Sequence, residues 1–151
     1  MKIPLLLHVA MMTVATPILS GSAAARPLDA YRDVNRLIVL SLPNHSSAEK
    51  VTKTLVMRRL QIGERDLKII DVSEGRHRVA TALRPAPGQT EAIRKHLGLG
   101  AGESRQVFIL IGKDGGEKAR SHGTLDLEKW FALIDGMPMR RAEIRDQEKN
   151  K

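Results

Sequence analysis

The sequence predicts an α/β fold, a three-layer sandwich in which a mixed central sheet carries helices on both faces. Three observations point there. Short apolar runs rich in β-branched residues recur at 36–42, 66–72 and 106–111, each of strand length. One amphipathic helical segment separates the first two runs, which implies a parallel pair with a right-handed crossover. The third run meets Asp114-Gly115, a turn signal that folds the chain back as an antiparallel hairpin. The length of 151 residues suits one domain. With 42% apolar and 28% charged residues, the chain is neither disordered nor fibrous in composition. It has no cysteine, which excludes disulfide scaffolds, thiol–disulfide exchange, cysteine nucleophiles, thiolate metal sites and lipid attachment through a thiol.

Residues 1–25 read as a signal peptide. Lys2 supplies a short positive start, 3–19 is mostly apolar, and Ala23-x-Ala25 places small residues where a signal peptidase cuts. A membrane anchor needs about 20 consecutive apolar residues, and this run is broken by His8 and Pro17. Cleavage after Ala25 would leave a chain starting at Arg26, with a domain over 26–139 and a polar C-terminal tail over 140–151. The remainder has no long apolar stretch, so no membrane span is expected after cleavage. The expected location is periplasmic or secreted.

The first strand, 36–42, is broken by Pro43-Asn44-His45. Ser46 and Glu49 then have the spacing of a capping box, with Ser46 as N-cap. The following helix would bury Ala48, Val51, Leu55, Val56 and Leu60 and end at Gly63. The second strand, 66–72, ends at Glu74-Gly75. The stretch 76–88 carries little pattern. A short helix over 90–97, closed by Gly98, turns Ile93 and Leu97 inward. The third strand and its hairpin partner at 117–121 come next. A last helix begins near Asp126, with Leu127, Trp130, Phe131 and Ile134 as a buried stripe, and stops at Gly136-Met137-Pro138. The order β-α-β-α-β-β-α is that of a thioredoxin-like domain.

Three stretches look familiar together: Leu28-Asp29-Ala30-Tyr31 with Asn35-Arg36-Leu37, the turn 110–118 (Leu-Ile-Gly-Lys-Asp-Gly-Gly-Glu-Lys), and the ending 131–141 (Phe-Ala-Leu-Ile-Asp-Gly-Met-Pro-Met-Arg-Arg). They resemble the bacterial domain-of-unknown-function family 4174, which is related to the repeated domain of equarin and the sushi-repeat extracellular proteins. The resemblance covers nearly the whole chain after residue 25 and implies a thioredoxin-like fold. The family has no settled activity, so no catalytic residue is carried over.

Thioredoxins and peroxiredoxins place their reactive cysteine at the start of the helix after the first strand, where the helix dipole lowers the thiol's pKa. Here that place reads Pro43-Asn44-His45-Ser46-Ser47-Ala48-Glu49-Lys50. The spacing resembles the peroxiredoxin pattern Pro-x-x-x-Ser/Thr-x-x-Cys, with Lys50 where the thiolate would stand; chance supplies the same residues, since proline and serine are common at such junctions. Gln106, not proline, precedes Val107, so the cis-proline of thioredoxins is missing. His45, Ser46, Ser47 and Lys50 are the candidate ligand-binding residues, because polar side chains and free backbone N–H groups converge there and suit an anion. The plainer reading of the same residues is a solvated loop with an ordinary cap. His77, His96 and His122 have no paired spacing, so no metal site is expected.

The net charge of +8 is spread over Arg58-Arg59, Arg76-His77-Arg78, Arg94-Lys95-His96 and Arg140-Arg141, with acids interrupting each run. With 3% aromatic residues the chain offers few bases a stacking partner, and no nucleic acid is expected. The function expected is that of an exported, non-enzymatic binding module without a cofactor, whose partner is an envelope protein or an anionic envelope component. The second reading is a non-thiol enzyme, or a degenerate peroxiredoxin- or thioredoxin-like protein, using the loop around His45, Ser47 and Lys50.

Overall fold

The structure is a computed structural model and describes residues 26–149; the signal-peptide reading of 1–25 lies outside them. After a single 3-10 turn at Asp29–Tyr31 the chain forms β1 (Arg36–Ser41), α1 (His45–Met57), α2 (Arg59–Glu64), β2 (Leu67–Asp71), α3 (Pro87–His96), β3 (Val107–Ile111), β4 (Glu117–His122), α4 (Leu127–Asp135) and α5 (Pro138–Lys149). The sheet has the order β2-β1-β3-β4. β1 and β2 run parallel with Ile38 opposite Ile69, and β3 is antiparallel to both β1 and β4.

Strand alternation divides the core into two layers. Ile38 and Leu40 of β1, Leu67 and Ile69 of β2, and Phe108 and Leu110 of β3 pack with Leu55 of α1 and with Trp130, Phe131 and Ile134 of α4. Leu37, Val39, Ile70, Val107, Ile109 and Ile111 point the other way and meet Ile93 and Leu97 near α3. Helices therefore cover both faces, as the run pattern predicts. β3 throughout, and β1 between its terminal Arg36 and Ser41, are apolar because neither face sees water.

The first helix departs from expectation in three places. Its cap is Asn44, whose Oδ1 accepts the Ser47 N–H at 2.9 Å, and Ser46 is exposed. Asparagine reaches the N3 amide from this extended backbone, so the helix starts at His45 and Ser46 already lies inside its first turn. The helix breaks at Arg58 and resumes as α2, which moves the buried face from Leu55 to Ile62 and leaves Val56 and Leu60 exposed. Gly63 lies inside α2, and Asp66, with φ of 51°, makes the positive-φ turn into β2. Asn44→Ala is expected to lower stability by about 1 kcal/mol, with Ser46→Ala within about 0.5 kcal/mol of wild type, both read by urea denaturation. The reverse ranking would restore Ser46 as the cap.

The weakly patterned stretch closes one sheet edge. Leu83 bridges to Ile70, its N–H donating to the Ile69 carbonyl and its carbonyl accepting the Asp71 N–H, both at 2.8 Å. β4 forms the other edge and carries Glu117, Lys118 and Arg120. The segment 140–151 is polar as read, but it is helical as far as Lys149, and Arg140 within it is buried.

Candidate functional site

The start of α1 does not assemble the four residues singled out there. Ser47 is buried at the cap, whereas His45, Ser46 and Lys50 face solvent. Ser47 borders a shallow depression shared with Asn44, Arg105 and His122, and the other three stand outside it. His77 is committed to the fold, its Nε2 lying 2.7 Å from the Leu42 carbonyl, to which it donates. Among the described residues no cluster of histidine and acidic side chains could hold a metal ion.

A larger concavity lies elsewhere. A cleft of about 770 Å³ opens between the loop that follows β2 and α3. Its floor holds two arginines with fixed positions. Arg84 donates from Nη1 to the His77 carbonyl at 3.1 Å and from Nη2 to the Ser73 and Gly75 carbonyls at 2.9 and 3.0 Å. Arg94 is buried and donates to Ser41 Oγ at 2.8 Å, to the Val72 carbonyl at 2.9 Å and to the Gly100 carbonyl. Glu74 meets Arg94 at 3.1 Å through one oxygen and accepts the Gly102 N–H at 2.9 Å through the other. Below the loop, buried Asp71 accepts the N–H groups of Ser73 and Val79 at 2.9 and 3.2 Å and faces Arg84 at 3.7 Å. The loop is therefore a framework of charge-assisted bonds, which are stronger than neutral ones. Arg78 and Lys95 stand at the exposed rim, and Pro85, Pro87, Leu99 and Ala101 form an apolar wall.

The sequence reading missed this cleft, treating Arg94 as one of several surface charges. A signal was present in its position beside Ile93 and three before Leu97, on the inward side of α3. Of its partners, Ser41 ends β1 and Val72 follows the last residue of β2, so the pairing of these two strands brings them together.

At the opposite end of the sheet the three family-like stretches meet. Buried Arg36 makes a bidentate pair with Glu143, both contacts 3.1 Å, and also donates to the Arg65 carbonyl at 3.0 Å. Lys113 bridges Glu143 and Asp66 at 2.8 Å each, and Arg140 adds contacts to Asp135 at 3.4 Å and Glu143 at 3.5 Å. Burial pushes the Glu143 carboxyl up, but hydrogen bonds from Arg36 and Lys113 outweigh it and hold the carboxyl below its ordinary range. Burial likewise pulls the Lys113 ammonium down, and its bonds to Asp66 and Glu143 reverse the direction. Arg65 lies 4.6 Å from the Phe131 ring centroid and pairs with Asp135. Cations and carboxylates answer one another here, which is the arrangement of a clamp that docks α5.

An open mixed sheet ordered β2-β1-β3-β4, with helices on both faces, defines a domain of the thioredoxin-like class, here with no thiol. Solved structures agree. A mitochondrial 2-Cys peroxiredoxin from Plasmodium falciparum superposes with a TM-score of 0.51 at 7% identity, over 72% of this chain and 78% of that one. The reduced 2-Cys peroxiredoxin of Plasmodium vivax gives 0.55 at 14% identity, over 81% and 84%. At these identities the likeness concerns the fold. The chain belongs to the family described as a domain of unknown function, DUF4174, whose model matches residues 27–143. That span takes in Glu143 and so the docked part of α5. No curated protein matches the chain.

Proposed function

We propose that the protein is an exported, non-enzymatic binding module of the cell envelope, periplasmic or secreted, that uses a thiol-free thioredoxin-like scaffold to hold an envelope protein or an anionic envelope component. The observation that carries this reading is the displacement of the concave, cationic surface. Lys50, at the position that the spacing gives to the thiolate, is exposed, while the large cleft lies beside α3 and is lined by Arg78, Arg84, Arg94 and Lys95 against Glu74 and Glu91. Field lines from clustered cations concentrate anions at such a surface. The exposed side chains of His45, Ser46 and Lys50, next to Ser47, are a second contact surface in this reading, and His45→Ala tests whether that surface matters.

Two measurements test it together. Expressed with residues 1–25 in a Gram-negative host, the chain is expected in the periplasmic fraction with its amino terminus at Arg26 by mass spectrometry. The purified domain is expected to sediment with protein-stripped cell-wall sacculi and to be released by about 0.5 M salt, which shortens electrostatic reach to a few ångströms. A full-length chain retained in the cytosol would overturn export. Sedimentation indifferent to salt would overturn the anionic partner.

A further inference from the structure

We infer that the cleft beside α3 is a binding site for a metabolite-sized amphiphile, with an apolar body and one anionic end group, a carboxylate or a phosphate. This deepens the proposed function by naming a ligand class, and it rests on that reading only for the sign of the charge that is bound.

The floor and the rim of the cleft do different work. Arg84 and Arg94 spend their donors on carbonyls of the loop and on Ser41, so they hold the cleft open and keep their charge inside it. Little reorganisation is then needed on binding, which lowers its cost. Arg78 and Lys95 are the reverse case. Both are exposed, and among the described residues neither side chain makes a hydrogen bond or an ion pair. Glu74 does not neutralise them, because Arg94 and the Gly102 N–H occupy its two oxygens. Glu74 answers Arg94 and Asp71 below the loop answers Arg84, which leaves Arg78 and Lys95 against Glu91 alone, an excess of one positive charge at the rim. The remaining wall, Pro85, Pro87, Leu99 and Ala101, offers carbon to a ligand and includes two rings of fixed shape. The volume of about 770 Å³ falls within the range that encloses ligands of drug size. A fully hydrated polyanion would leave the apolar wall unused, and an uncharged hydrocarbon would leave Arg78 and Lys95 unanswered. The combination fits a chain or ring system ending in an anion.

Calorimetric titration of the purified protein with octanoate, octyl phosphate, octanol and octyltrimethylammonium tests this, with amide chemical shifts to locate the bound molecule. At least one of the two anions is expected to bind, shifting the amides of Arg78, Lys95 and Leu99, with octanol weaker and the ammonium without effect. Which anion binds more tightly separates the carboxylate source from the phosphate source. Arg78→Gln combined with Lys95→Gln is expected to weaken the anion by at least about tenfold, the scale of two lost charge-assisted contacts at an exposed rim. The melting temperature should hold, since neither side chain has a partner in the fold. Absence of binding by both anions, equal binding of the ammonium, unchanged affinity in the double variant, or shifts centred on α1 would each overturn the assignment. Because the titration uses no envelope material, its failure leaves salt-dependent attachment to sacculi standing, and failure of attachment or export leaves the titration standing.

Discussion

Glu143→Ala is expected to lower the stability of the domain by about 3 kcal/mol, the lower end of the range for removing one partner of a buried ion pair. At this chain length that corresponds to a fall of about 10 °C in melting temperature. Arg36 is 1% exposed, and without Glu143 its guanidinium keeps only the Arg65 carbonyl, since its Nε already lacks a partner. Lys113 and Arg140 lose one carboxylate at the same time. The pair is expensive to break and much less expensive to replace. Arg36→Met with Glu143→Leu should therefore recover more than half of the loss. A double variant as unstable as the single one would show that shape, not unpaired charge, sets the cost.

The same carboxylate sets part of the acid limb. Its folded pKa lies below the ordinary value of 4.5, so the folded state favours the ionised form. The stabilisation is complete above that value and is lost as the pH falls through the folded pKa. Glu143→Gln removes it at every pH, so the variant should lose less stability than wild type between about pH 5 and pH 3. Lys113 has the opposite sign. Raised above 10.5, it stabilises at neutral pH and fails only in strong alkali.

Asp71→Ala should cost about as much, roughly 3 kcal/mol, through two buried N–H groups left without an acceptor. Those groups belong to Ser73 and Val79, the two ends of the loop that shapes the cleft. Arg84 would lose its nearest carboxylate as well. The loss should be visible locally before it is visible globally: trypsin should cut at Arg76 and Arg78 faster than in wild type under native conditions. Asp71→Asn keeps one acceptor and should lie between the two. If Asp71→Ala unfolds within about 1 kcal/mol of wild type, the loop is held by Arg84 and Arg94 alone.

The layers of this domain were legible because each rests on a periodic pattern. The apolar runs at β1 and β3, the stripe Leu127-Trp130-Phe131-Ile134 and the Asp114-Gly115 turn all occur where the pattern places them. Local chemistry was less legible where two residue types compete for one role. Asn44 and Ser46 both cap helices well, and backbone geometry decides between them. The buried arginines were hidden for a different reason. Arg36 opens a strand and Arg94 sits in a basic run, and what neutralises them, Glu143 and Glu74, lies 107 and 20 positions away in sequence. Pairing over such distances is a property of sheet order, which a single sequence carries only indirectly.

The two borders of the sheet bear on how copies of this domain meet. On the β2 side the main chain at Leu83 already occupies the hydrogen-bonding positions that a foreign strand would seek. On the β4 side an incoming strand would have to desolvate Glu117, Lys118 and Arg120. Charged and covered borders resist strand-to-strand accretion. For a chain that holds itself together without a single covalent cross-link, this confers colloidal robustness: crowded molecules should remain discrete, and any assembly they form should run through helix faces instead of extending the sheet.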